Sequence, residues 1–168
     1  AVDLPIILYN VPSRTGVNIK PQTYKEISKH PNIVATKEAS GDLSAIAQIK
    51  YLCGDDLDIY SGNDDQTVPI LSLGGIGIIS VLSNIAPRVM HDICDLYLNG
   101  KTNEATKLQL KYIGLMNAMF CDVNPIPVKE AMNMLNMNTG PCRMPLYPMS
   151  TENKEFLKSK LIECGFKL

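Results

Sequence analysis

Ile33-Val34-Ala35-Thr36-Lys37, running on through Glu38-Ala39-Ser40 to Asp42 and then Leu43, Ile46, Ile49 and Leu52, decides the fold. The run as far as Thr36 is continuously apolar and largely β-branched, the pattern of a buried parallel strand. Asp42 is a natural N-cap, and the apolar residues after it recur every three positions, which makes one helix face. Together they are one βα unit. The same unit recurs on either side. Ile6-Ile7-Leu8-Tyr9 is a strand, and Gln22 to Lys29 a helix with Pro21 suited to its first turn. Leu57 to Ser61 is a strand, followed by a helix holding Val68, Ile70, Leu71 and Leu73, with Pro69 early enough to be tolerated or to kink it. Gly77 to Val81 is a strand, followed by a helix from about Pro87 that carries Val89, Met90, Ile93, Leu96 and Leu98.

Repeated βα units predict an α/β fold with a parallel sheet covered by helices, open or closed. In either form ligands bind at the carboxyl ends of the strands. Those ends carry Tyr9-Asn10, Lys37-Glu38, Ser61-Gly62-Asn63 and Ser80 to Asn84. Gly74-Gly75-Ile76-Gly77 precedes its strand and so lies at the opposite end; it reads as a helix-to-strand turn and not as a phosphate loop. Beyond Asn99-Gly100 the pattern is helical only. Lys107 to Phe120 puts Leu108, Tyr112, Leu115, Met116 and Met119 on one face. Asn124-Pro125-Ile126-Pro127-Val128-Lys129 leads into a helix through Leu135, and Thr151 to Cys164 is a last helix with Gly165 as its stop. Residues 1–99 are thus expected to form the four βα units and residues 100–168 a three-helix appendage.

Composition narrows the function. The chain has 168 residues, 45% of them apolar, with 16 Lys+Arg against 17 Asp+Glu. No basic stripe points to nucleic acid, no apolar run reaches membrane-spanning length, and Ala1-Val2-Asp3-Leu4-Pro5 carries no basic lead-in to an apolar stretch. Five cysteines without a Cys-x-x-Cys argue against a disulfide scaffold or a zinc site and fit a reducing cytoplasm. His30 and His91 have no partner at metal-ligand spacing and read as surface helix residues. No metal or cofactor is expected.

Lys37 is the chemical centre of this reading. A lysine amine at a strand end against apolar walls loses hydration, which disfavours its charged form and frees a nucleophile able to form a Schiff base with a carbonyl. On its own, Lys37 reads more often as a lysine that ends its strand in water. Tyr9, at the end of the preceding strand, can shuttle protons, and Arg14, in the loop after it, can grip a carboxylate by a two-pronged contact. Each alone also fits a plain half-buried tyrosine and a solvated arginine. All three on one face favour chemistry.

Tyr9 to Gly16, Thr36 to Gly41, Ser61 to Asp64, Gly74 to Val81 and Asn124 to Lys129 closely resemble, in this order, the dihydrodipicolinate synthase family. It belongs to the pyruvate-dependent class I aldolases, as do the N-acetylneuraminate lyases, which are not expected to match Ser13-Arg14-Thr15. The resemblance implies condensation of pyruvate with aspartate semialdehyde through a lysine Schiff base, in lysine (diaminopimelate) biosynthesis. It implies Lys37 as the Schiff-base lysine, Tyr9 as proton relay, Arg14 as the aldehyde's carboxylate ligand, and Gly62 and Ile79 as lining the pyruvate pocket. Family members are (β/α)8 barrels, which usually need about 250 residues. This chain resembles the second half, four βα units and the appendage. The missing amino-terminal half would supply the Gly-Thr-Thr loop for the pyruvate carboxylate and the rest of the proton relay. The chain is therefore expected to pair with that half or to form a homo-oligomer, and to be impaired alone. Other pyruvate aldolases and a catalytically silent folded fragment are the alternatives.

Overall fold

Parallel pairing joins four strands in the order β1 (Ile6–Asn10), β2 (Ile33–Glu38), β3 (Asp58–Ser61) and β4 (Gly77–Ile78). The computed structural model describes residues 3–168. Ala1 and Val2, part of the stretch read for a leader, lie outside them. The helices between strands are the short α1 (Pro12–Thr15), α2 (Pro21–Ile27), α3 (Leu43–Cys53) and α4 (Thr67–Ser72), with α5 (Pro87–Leu98) after β4. The appendage follows as α6 (Thr102–Ala118), α7 (Ile126–Met134) and α8 (Thr151–Glu163). Proline at the first turn opens α1, α2 and α5, where its missing N–H is no loss. The Asp42 carboxylate accepts from the Ala45 N–H at 3.0 Å and caps α3, as its position in the sequence predicts.

Register fixes which side chains share a face. Tyr9 pairs with Lys37, and Lys37 with Tyr60; one step on, Asn10 pairs with Glu38, and Glu38 with Ser61. Successive residues of a strand point to opposite faces. Asn10, Glu38 and Ser61 are buried under the helices, whereas Tyr9 is 52% exposed and Lys37 and Tyr60 are only partly covered. The face that carries Lys37 is thus open, and so are the outer edges of β1 and β4. Ile6, Ile7, Ile76 and Ile79 are exposed apolar residues of this sheet region.

Two buried clusters hold the layers together. Tyr24, Ile46, Ile49, Leu57, Ile59 and Ile70 pack between the first helices and the sheet. The larger cluster runs from Leu82, Met90 and Ile93 through Leu115, Met116 and Met119 to Leu157 and Leu161, so α5 and the appendage share one core. Each such fully buried side chain contributes about 1.5–3 kcal/mol.

The structure departs from the sequence reading in two places. The sequence predicts β4 over Gly77 to Val81, but the strand ends at Ile78. At the far end of the expected strand Asp64 Oδ2 accepts from the N–H of Val81 (3.2 Å) and, just beyond it, of Leu82 (2.8 Å), which holds Val81 out of the ladder. Helix α6 begins at Thr102, one turn and more before the Lys107 expected from its apolar face, because its first residues are polar and mostly exposed.

Candidate active site

Lys37 and Tyr9 meet at the carboxyl end of β1 and β2. Their level register on the open face brings the Lys37 Nζ to 4.2 Å from the centroid of the Tyr9 ring, within the range of a cation–π contact. Lys37 is only partly buried, so the enclosure by apolar walls expected from the sequence is incomplete within this chain. Arg14 is exposed on α1. That single turn closes on Gly16, whose φ of +70° suits glycine and whose N–H donates to the Pro12 carbonyl at 2.9 Å.

A cavity of about 180 Å³ gathers these groups, lined among others by Tyr9, Ser13, Arg14, Lys37, Gly62 and Asn124. The structure thus brings together four of the five residues singled out from the sequence. Ile79 does not line this cavity; its N–H donates to the Ser61 carbonyl at 2.9 Å and its side chain is 38% exposed. Gly62 is glycine because the chain passes so close to β2. A Cβ there would lie 2.7 Å from the Ala39 Cβ and 2.9 Å from the Glu38 carbonyl oxygen. A larger space of about 340 Å³ adjoins at Asn63 and Phe120, but no lysine or arginine lines it. The smaller one carries two cationic side chains and no acidic one, a setting for a ligand with a carboxylate.

Behind the open face lies a buried polar network. Glu38 Oε1 accepts from Asn10 Nδ2 at 2.9 Å and from the Tyr24 hydroxyl at 2.7 Å, and Oε2 accepts from Ser40 Oγ at 2.8 Å. Burial, with an added push from Glu38 against an opposing bond from Thr36, holds the Tyr24 phenol far above its ordinary range, so it remains a donor. Tyr24 escaped sequence reasoning: nothing in a seven-residue helix distinguishes it from core filler. Asn10 and Glu38 stood inside recognised motifs without an assigned role. Asn124 and Phe120 were likewise unassigned, and they show the appendage reaching the cavity. Among the described residues, no three His, Cys, Asp or Glu side chains converge as a metal site would require.

Comparison with known proteins follows from this geometry. The model of the "Dihydrodipicolinate synthetase family" matches residues 1–163. A 4-hydroxy-tetrahydrodipicolinate synthase of Caldicellulosiruptor saccharolyticus is 58% identical over all 168 residues, which cover 57% of that protein. The crystal structure of the dihydrodipicolinate synthase of Thermotoga maritima superposes with a TM-score of 0.94 at 40% identity, over 98% of this chain and 57% of that one. The Acinetobacter baumannii enzyme, solved in complex with pyruvate, gives a TM-score of 0.95 at 37% identity, over 98% of this chain and 57% of that one. The chain therefore spans a little over half the length of the relatives it matches, and its four βα units and appendage have the architecture of half a (β/α)8 barrel.

Proposed function

The chain belongs to the dihydrodipicolinate synthetase family, and from that premise we propose that it carries the Schiff-base half of an active site that condenses pyruvate with aspartate semialdehyde. The observation that carries this reading is the Lys37 Nζ held over the Tyr9 ring in one cavity with Arg14. Among the described residues Lys37 is the only lysine lining that cavity. Its neutral amine adds to the ketone carbon of pyruvate; the carbinolamine loses water, giving an iminium ion. The iminium draws electrons from the adjacent methyl group, which gives up a proton and becomes the enamine carbon. That carbon attacks the aldehyde of aspartate semialdehyde, whose carboxylate Arg14 grips. Tyr9, beside the amine, carries protons onto and off the oxygen that departs. Gly62 flanks the pyruvate side, and Ile79, which lies outside the cavity within this chain, would reach pyruvate only once the partner closes the site. The amino group of the condensed aspartate semialdehyde then adds to the iminium carbon and displaces the Lys37 nitrogen, which closes the ring and frees the lysine; the product would feed lysine (diaminopimelate) biosynthesis.

In this reading residues 1–99 supply four βα units and residues 100–168 the helical appendage. The open edges of β1 and β4 and the exposed Ile7 and Tyr9 support a partner of matching form, a further four βα units that complete the barrel. Without them the cavity lacks one wall, and the chain alone turns over poorly. Five free cysteines support a reducing compartment, the cytoplasm. Incubation with pyruvate and borohydride, followed by peptide mass spectrometry, is expected to place the reduced adduct on Lys37. An adduct on another lysine, or none when the complementary half is supplied, refutes the assignment. Sedimentation showing a lone, cooperatively unfolding monomer refutes the partner.

A further inference from the structure

We infer that Glu38, through Asn10 and Tyr24, is a positioning residue that sets the Tyr9–Lys37 pair from the hidden side of the sheet. This rests on the reading of Lys37 as the nucleophile.

Glu38 is 1% exposed, Asn10 3% and Tyr24 0%. A buried glutamate is rare, and an apolar residue would fill the place without the desolvation cost. Both carboxyl oxygens are engaged, and two of the three donors belong to segments that carry the site. Asn10 directly follows Tyr9. Ser40 lies in the loop after Lys37. Tyr24 comes from α2, and its hydroxyl lies 3.1 Å from Thr36 Oγ1 of β2 as well. Asn10 reaches further: its Oδ1 accepts from the Ile19 N–H at 3.1 Å and its Nδ2 also donates to Asn18 Oδ1 at 2.8 Å. The segment bearing Arg14 is thereby returned to the strand end that bears Tyr9.

The mechanical consequence follows from the pleat. Lys37 and Glu38 are consecutive and point to opposite faces, so a twist of β2 that swings Lys37 off the Tyr9 ring also swings Glu38 off its donors. Three directional hydrogen bonds resist that twist where apolar packing would let it slide. The mechanism uses none of these groups directly, which makes their burial in one bonded set informative.

The test uses the chain after reductive 13C-methylation of its lysines. The Lys37 methyl resonance is identified by its absence in Lys37→Arg, and its upfield displacement by the Tyr9 ring is lost in Tyr9→Leu. Glu38→Gln keeps an oxygen for Asn10 and Tyr24 and offers Ser40 an amide donor. It is expected to preserve the displacement, whereas Glu38→Ala loses it while the far-ultraviolet dichroism stays that of a folded chain. In a separate sample of each chain left unmethylated, so that Lys37 keeps its primary amine, pyruvate–borohydride labelling reads the same placement: a misplaced amine lowers the maximal rate at an unchanged half-saturating pyruvate, by about tenfold to a hundredfold in Glu38→Ala and less than about threefold in Glu38→Gln. Should Glu38→Ala not fold, Tyr24→Phe removes one donor only and is expected to reduce both the displacement and the rate in part. Parent-like displacement and rate in a folded Glu38→Ala or Tyr24→Phe overturn the inference. So does a Glu38→Gln chain that falls as far as Glu38→Ala. A parent chain that shows the displacement but never labels, even with the complementary half supplied, overturns the proposed function and leaves the positioning to the resonance alone.

Discussion

Gly62→Ala places one methyl group where the chain leaving β3 passes close to the end of β2. The new Cβ would lie 2.7 Å from the Ala39 Cβ and 2.9 Å from the Glu38 carbonyl oxygen. Carbon atoms prefer about 3.5–4.0 Å, so the two strand ends must part by about 1 Å. The same carbonyl accepts the Gly62 N–H at 2.6 Å, so the clash and the bond compete for one atom. Overpacking costs about 1–3 kcal/mol and the strained hydrogen bond about 1 kcal/mol more. At about 2–4 °C per kcal/mol for a chain of this size, the thermal midpoint falls by about 4–16 °C. Gly114→Ala is the internal control. Its Cβ meets only the Lys160 Cδ at 3.6 Å, an ordinary contact, within α6. Alanine in place of glycine inside a helix stabilises by about 1 kcal/mol, so the two substitutions move stability in opposite directions. Urea titrations followed by circular dichroism, at one protein concentration because association shifts the midpoint, compare them. Glu38 adjoins Lys37, so a 1 Å displacement there also lowers pyruvate labelling by about a hundredfold. A Gly62→Ala chain that unfolds at or above the parent's urea midpoint refutes the close approach.

Asp64 makes stability depend on pH. Burial pushes its carboxyl above the ordinary value, and its Oδ1 is buried without a partner. The folded chain therefore holds a proton that the unfolded chain has released, and stability falls as pH rises from the ordinary carboxyl range through the raised one. Asp64→Asn keeps an acceptor for Val81 and Leu82 and should flatten that slope; a melting series across pH showing the parent's slope in the variant contradicts the assignment. Asp42→Ala removes the cap on Ala45 and should cost about 1 kcal/mol, or about 2–4 °C in midpoint. An unchanged melt would mean that water replaces the cap at no cost.

What the sequence disclosed depended on how far apart the deciding residues lie. The βα period, the Asp42 cap and the proline-led helices are local and were legible. The short β4 was not: the carboxylate that takes Val81 out of the ladder, Asp64, sits 17 residues before it and reaches it only in the fold. The Tyr9–Lys37 meeting was legible in outline: both close parallel strands, and such ends lie side by side. How far Lys37 is shielded was not, since that depends on what covers the open face. Tyr24 was invisible for a related reason. Its hydroxyl finds Glu38 across 14 positions, and a helical tyrosine otherwise looks like any core residue.

The division of labour between adjacent residues explains why this strand tolerates so little freedom. Tyr9 and Lys37 look out onto the cavity, while Asn10 and Glu38 look back into the helices. A slip of one residue in β2 would exchange those faces. Lys37 would then be driven in beside Asn10 and Tyr24, and Thr36 and Glu38 would turn to the open face that bears Tyr9. The buried donors of Asn10 and Tyr24 would lose their acceptor, and each unpaired group costs about 1–3 kcal/mol. The register that makes Lys37 available for chemistry is therefore the one the hidden hydrogen bonds select, and a single pair of residues, Lys37 and Glu38, ties reactivity to stability.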